Sequence, residues 1–164
     1  MPEVELKLKN VHSIIYAHLN INSLRNKFDQ LKGMILGFID ILVITETKLN
    51  DSFPNSQFFI QGYSKPYRLD RKENNGGGVL IYIRGDIPSK LLKLPSTSDG
   101  IESIFIEINL RKMKWLIGGA YISHKTLAPA HLEKIGIAID SYLGKYDNIL
   151  LMGDFNCEMT EQAM

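Results

Sequence analysis

Three apolar runs in this sequence stop abruptly and hand over to oxygen-bearing side chains: Leu19 to Asn20 and Asn22, Ile44-Thr45 to Glu46, and Met152-Gly153 to Asp154 and Asn156. A fourth apolar run carries Tyr121 near its end. If the ends lie side by side, two carboxylates and several carboxamides converge with no histidine or thiol among them. Hard oxygen donors of that kind suit Mg²⁺ or Mn²⁺, and the chemistry they imply is metal-assisted attack on a phosphate. Each residue alone has an ordinary reading, because a carboxylate after a strand is commonly a solvated end or a helix N-cap, and asparagine is common in turns. The constellation, not any member of it, carries the expectation.

Two other readings fail on spacing. Asp154-Phe155-Asn156-Cys157-Glu158 begins like a Ca²⁺-binding EF-hand loop, but Met159 stands where that loop needs glycine. Gly76-Gly77-Gly78 lacks the Gly-Lys-Ser/Thr ending of a P-loop, so its expected task is to let a strand start in a tight space. Arg68, Arg71, Lys72 and Arg84 gather in sequence around this turn and are candidates for contact with a phosphate backbone, a type of contact that adds affinity without reading sequence. A solvated loop is the alternative.

The elements that must position these groups alternate between strand-like and helix-like, which predicts α/β layering. A buried strand is expected over Val11 to Leu19, then a helix with Leu24, Phe28, Leu31 and Ile35 on one face and Ser23 or Asn22 as N-cap. The run Ile39 to Thr45 reads as a strand covered on both faces, Asp51 to Asp70 as loop, and Val79 to Ile83 as a second buried strand. From Ile104 to Leu110 alternate residues are apolar, which predicts a half-buried strand. The polar link Arg111 to Lys114 then turns the chain back into Trp115 to Ile122 as a hairpin. Leu132, Ile135, Ile139 and Tyr142 share a helical face opened by Pro129 and closed near Gly144, and Asn148 to Gly153 is the last strand.

Composition sets bounds. With 164 residues, 45% of them hydrophobic and 23% charged, one domain or a piece of one is expected, folded rather than disordered. A net charge of +1 removes any argument from global charge for a polyanionic partner. The single cysteine, Cys157, excludes an internal disulfide and a cysteine-based zinc site. No run approaches the roughly 18 apolar residues of a membrane span, and Met1 to Asn10 is too charged for a signal peptide. An intracellular place, nuclear or cytoplasmic, and no membrane partner are expected.

Five blocks carry a resemblance: "HLNINSL" (His18 to Leu24), "VITETKL" (Val43 to Leu49), "GGGVLIYIR" (Gly76 to Arg84), "GGAYIS" (Gly118 to Ser123) and "LLMGDFN" (Leu150 to Asn156). Their order resembles that of endonuclease/exonuclease/phosphatase domains. The glycine block and "YRLDR" (Tyr67 to Arg71) look most like the apurinic-type endonucleases of non-LTR retrotransposons. The resemblance implies a four-layer α/β/β/α sandwich over residues 11–164, with residues 1–10 as an N-terminal extension. It implies a Mg²⁺- or Mn²⁺-dependent phosphodiesterase that nicks DNA, with Glu46 and Asn20 at the metal, Asp154 orienting or deprotonating the attacking water, Asn156 supporting water and phosphate, and Tyr121 donating to a phosphate oxygen. Asn22, Arg68, Arg71 and Arg84 are expected on the substrate side.

The family continues for about half a domain more and closes on a Ser-Asp-His motif. The expectation is therefore an incomplete, C-terminally truncated domain, weakly active or inactive as this chain. Its expected partners are DNA and either the remaining portion of the domain or a reverse transcriptase domain. A catalytically dead remnant that binds nucleic acid or protein, and a phosphatase of the same fold, are the alternatives.

Overall fold

The structure is a computed structural model and describes residues 13–71, 76–92, 101–123 and 128–157, with side chains from 132 onward in the last segment. The expected extension over residues 1–10 lies outside the described residues.

One sheet has the order β1-β2-β4-β3, formed by β1 (Tyr16–Asn20), β2 (Ile41–Thr45), β3 (Tyr67–Leu69) and β4 (Val79–Ile83). The other has the order β5-β6-β7-β8, formed by β5 (Ser89–Leu91), β6 (Ile101–Leu110), β7 (Met113–Ile122) and β8 (Asn148–Asp154). Each sheet holds one parallel pair joined through a helix. α1 (Phe28–Ile35) connects β1 to β2, and α2 (Ala128–Asp140) connects β7 to β8.

The period of two in the strands sorts the core into three layers. Ile41, Val43, Val79, Ile81 and Ile83 of the first sheet face Ile104, Ile106, Ile108 and Ile117 of the second. Between them, Leu42, Ile44, Leu80 and Tyr82 point the other way, toward Leu24, Leu31 and Ile35. Ile101, Ala120 and Ile122 cover the outer face of the second sheet with Ile135 and Ile139 of α2. Each fully buried isoleucine or leucine contributes about 1.5–3 kcal/mol of transfer free energy, so a strand whose five residues are all buried, as in β2 and β4, has little freedom to slip register. The result is the expected four-layer α/β/β/α sandwich.

Several boundaries depart from the sequence expectation. β1 is described from Tyr16 and is an edge strand of alternating exposure, not a buried one. α1 starts at Phe28 after Lys27, which makes no side-chain capping bond, so neither Ser23 nor Asn22 caps it; Leu24 is buried in the turn before it. The segment read as loop over Asp51 to Asp70 contains a 3₁₀ turn (Asn55–Phe58) and β3. β6 is covered on both faces over its first six residues, because Ile101 packs with Ile135 of α2 and Phe105 stacks on Tyr142 just beyond that helix. The hairpin turns on Arg111 and Lys112 alone, with φ of 51° and 65°. Such a two-residue loop usually carries asparagine and glycine, so its sequence hides it.

Register fixes where the functional ends lie. Asn20 stands beside Thr45, Thr45 beside Val79, Glu102 beside Tyr121, and Tyr121 beside Asp154. The C-terminal ends of β1, β2, β7 and β8 therefore share one end of the sandwich with the N-terminal ends of β4 and β6.

Candidate active site

Asn20 is the last residue of β1 and Asp154 the last of β8, and these strands belong to opposite sheets. The Asn20 side-chain Nδ2 donates to Asp154 Oδ2 at 2.7 Å and to Glu46 Oε1 at 3.0 Å. Tyr121 Oη donates to the same Glu46 oxygen at 3.4 Å. Four residues separated by up to 134 positions thus meet at one sandwich end.

Glu46 follows β2 in a left-handed conformation, φ 54°, and Lys48 repeats it at 52°. A non-glycine residue there costs free energy that its surroundings must offset. They do so by stitching the loop on both sides. Ser23 and Leu24 donate their N–H groups to the carbonyls of Glu46 and Thr47, while the N–H groups of Thr47 and Lys48 donate to Gly78 and Gly77. The glycine turn is explained by the same contact: Gly77 and Gly78 have φ of 72° and 93°, and a Cβ on Gly78 would sit 2.3 Å from Thr47 Oγ1.

Asn156, also left-handed at φ 46°, donates its backbone N–H to Asp154 Oδ1 at 3.2 Å and its Nδ2 to the Ile122 carbonyl at 2.6 Å. Lys48 Nζ lies 3.9 Å from Glu46 Oε2 and donates to Asn22 Oδ1. Burial, with the Glu46 charge adding to it and Arg71 opposing, raises the Tyr121 phenol above its ordinary pKa of 10.0, so it is protonated and able to donate at neutral pH. Beside the group, His18 has Nε2 3.0 Å from Thr45 Oγ1, and desolvation lowers its pKa against the pull of Asp154, which favours a neutral ring. An open cleft of about 510 Å³ runs from His18 along Asp154, Phe155 and Asn156 to Leu132 and the half-exposed Cys157.

The basic residues separate. Arg71 belongs to the group: its Nε pairs with Glu102, its guanidinium lies 5.6 Å from the Tyr121 ring centroid, and its buried Nη2 has no hydrogen-bond partner. Arg68 is 8% exposed and donates to Asp70, to Asn55 and to the carbonyls of Phe53 and Asn50, so its donors hold the 50–58 segment rather than face a ligand. Arg84 follows the opposite end of β4 and pairs with Asp40 and Asp86, a strand length from the site. The grouping of Arg68, Arg71 and Arg84 around the glycine turn is thus corrected, since a strand carries Arg84 away and internal acceptors occupy Arg68. Lys72 lies outside the described residues.

Glu102, Lys48 and His18 were not singled out from sequence. Glu102 had a readable signal, a carboxylate at an inward position of the β6 alternation. Among the described residues there is no group of three His, Cys, Asp or Glu side chains placed to hold a metal. The available set is Glu46, Asp154 and the Asn20 amide. One or two carboxylates with water completing the shell is how Mg²⁺ is commonly bound, so this donor set fits that ion.

No family model matches the sequence, and no curated protein matches it. Among solved structures, the 3′ phosphatase NExo from Neisseria bound to a product DNA hairpin superposes with a TM-score of 0.64 at 18% identity, covering 91% of this chain and 60% of that one. The chain has the endonuclease/exonuclease/phosphatase fold. The endonuclease domain of TRAS1, a telomere-specific non-LTR retrotransposon, gives 0.59 at 16% identity, with 88% and 60% covered. A mannosyl-6-phosphatase of Bacteroides thetaiotaomicron gives 0.62 at 16% identity, with 92% and 68% covered. The chain spans about 60% of the length of the first of these. No helix among the described residues is long and apolar enough to cross a membrane.

Proposed function

We propose that this chain is the Mg²⁺- or Mn²⁺-dependent phosphodiesterase portion of a DNA-nicking endonuclease of the retrotransposon type. The observation that carries the reading is the single Asn20 amide held between the carboxylates of Glu46 and Asp154. Two carboxylates that close repel each other unless positive charge lies between them. The amide N–H now supplies part of it, and a divalent cation would supply more.

Glu46, with Asn20 after a half-turn of its amide, would hold the cation. A bound Mg²⁺ or Mn²⁺ neutralises charge that develops on phosphoryl oxygens. Asp154, its Oδ1 fixed by the Asn156 N–H, is placed to orient or deprotonate water, while Asn156 supports water and phosphate. Tyr121 remains a protonated donor for a phosphate oxygen. Arg71 and Asn22 stand at the substrate side. Donors fixed in advance at the end of a packed sandwich do not have to reorganise as charge develops, which is where such sites gain most of their rate.

DNA is the preferred substrate class because NExo is bound to a product DNA hairpin and the TRAS1 domain is an endonuclease of a telomere-specific retrotransposon. A second form of the reading is a domain without turnover that has at most a nucleic-acid or protein binding role. A reverse transcriptase domain or a further portion of the same fold is the partner this origin implies.

The test is conversion of supercoiled plasmid to the nicked circle with Mg²⁺, read beside DNA retention in a gel shift. Slow conversion that needs Mg²⁺ and disappears in Asp154→Ala supports the enzyme. Retention of DNA without conversion supports the binding form. Neither conversion nor retention contradicts both.

A further inference from the structure

Glu102 stands apart from the chemistry described so far, yet its contacts run through all of it. It is 7% exposed and points into the space between the sheets from the first turn of β6 pairing, directly beside Tyr121 on β7. Residues opposite one another on adjacent strands project to the same face, so the carboxylate and the phenol ring are neighbours. The carboxylate crosses to the other sheet, where it accepts the backbone N–H of Gly78 and the Nε–H of Arg71.

Each contact leads to a different part of the site. The Gly78 carbonyl accepts the N–H of Thr47, and the Gly77 carbonyl that of Lys48, so the glycine turn held by Glu102 in turn holds the left-handed loop that presents Glu46. The Arg71 guanidinium held by Glu102 lies against the Tyr121 ring. A Cβ at Gly77 would fall 2.6 Å from both Glu102 carboxylate oxygens, which accounts for glycine where the turn meets the carboxylate.

We propose that Glu102 is the positioning residue of this site: a buried carboxylate that touches neither cation nor substrate and fixes, through Gly78 and Arg71, the places of Glu46 and Tyr121. This role rests on the proposed function for its purpose, but the anchoring of the Thr47-Lys48 loop by Glu102 can be tested apart from it. Hydrogen bonds to a charged acceptor are roughly twice as strong as neutral ones, and an ion pair with one partner removed leaves an uncompensated buried charge. The function of the pair and its contribution to stability can therefore be separated by replacing both partners with apolar residues of similar volume.

The experiment is site-resolved amide hydrogen exchange by NMR on the wild-type chain, on Glu102→Gln, and on the double variant Glu102→Met with Arg71→Met. Val43 and Ile81, in the central strands, report global stability; Thr47 and Lys48 report the loop. The double variant is expected to leave Val43 and Ile81 within about threefold of wild type and to speed Thr47 and Lys48 by about tenfold or more, since a loop freed from its anchor opens locally. Glu102→Gln, which keeps an acceptor but not the charge, is expected to show a smaller, several-fold effect at the same two amides. Mn²⁺ affinity measured on the same samples should fall several-fold with Glu46 intact.

Unchanged exchange at Thr47 and Lys48 in a folded variant overturns the assignment, as does acceleration spread equally over Val43 and Ile81. If the double variant does not fold, Glu102→Gln decides by the same two criteria. A wild-type chain that binds no Mn²⁺ would count against the proposed function, while the exchange data would still decide for or against Glu102.

Discussion

Asn20 and Asp154 end strands of opposite sheets, and the 2.7 Å hydrogen bond from the Asn20 Nδ2 to Asp154 Oδ2 ties the two sheets together where Glu46 also arrives. Replacing the amide with a carboxylate puts three acids where one donor separated two. In Asn20→Asp, folding stability without divalent cations is expected to fall by about 1–2 kcal/mol from the lost donor and added repulsion. Millimolar Mg²⁺ should then raise the thermal midpoint of the variant more than that of the wild type. Equal shifts in calorimetric scans of the two proteins would contradict the placement of the cation at this group.

Gly78 and Gly33 offer a contrast within one chain. Gly78 has φ 93° and no room for a Cβ beside Thr47 Oγ1, whereas Gly33 sits exposed in α1 with nothing within 4 Å. Gly78→Ala is expected to cost about 1–3 kcal/mol or more from strain and displacement of the Thr47 loop. Gly33→Ala is expected to stabilise by about 0.5–1 kcal/mol through helix propensity. Urea denaturation of both variants checks the two signs, and like signs would show that the turn is looser than described.

Tyr63 supplies a pH prediction. Its hydroxyl donates toward the carbonyls of Ile35 and Ile39, and burial, reinforced by Asp40, pushes its pKa up to about 12 from 10.0. A phenol whose folded pKa exceeds its unfolded one binds its proton more tightly in the native state, so its contribution is complete below pH 10 and is lost as pH rises from 10 toward 12. Stability of the wild type should decline over that window more steeply than that of Tyr63→Phe, followed by urea midpoints. Parallel curves would remove Tyr63 from the account of alkaline unfolding.

Arg84 should matter to the fold and not to the site. Removing the guanidinium that faces the 1%-exposed Asp40, as in Arg84→Met, is expected to destabilise by about 1–3 kcal/mol while Mn²⁺ affinity stays within twofold of wild type. A loss of cation binding in the folded variant would place Arg84 closer to the chemistry than its strand allows.

The sequence was most legible where one side-chain period dominated. The continuous apolar runs of β2 and β4 reported strands covered on both faces, and the polar tips Asn20, Glu46 and Asp154 marked where β1, β2 and β8 stop. It was least legible where tertiary contact decided the outcome. Arg68 and Arg84 look like any exposed arginine until distant acceptors, the Phe53 and Asn50 carbonyls for Arg68 and Asp40 for Arg84, arrive from folding. The Arg111-Lys112 turn adopts positive φ without glycine because the paired strands on both sides impose it. β3 and β5, three residues each, are too short for any period to show, and the inward position of Glu102 in the β6 alternation does not reveal that Gly78 and Arg71 will be its partners.

The central claim is that Glu46 and Asn20, with Asp154 beside them, hold one divalent cation. Isothermal titration of Mn²⁺ into the wild-type chain and into folded Glu46→Ala tests it most directly. The account predicts saturable single-site heat in the wild type and affinity reduced by tenfold or more, on the order of 1.4 kcal/mol per factor of ten, in the variant. Superimposable isotherms from the two proteins would contradict it.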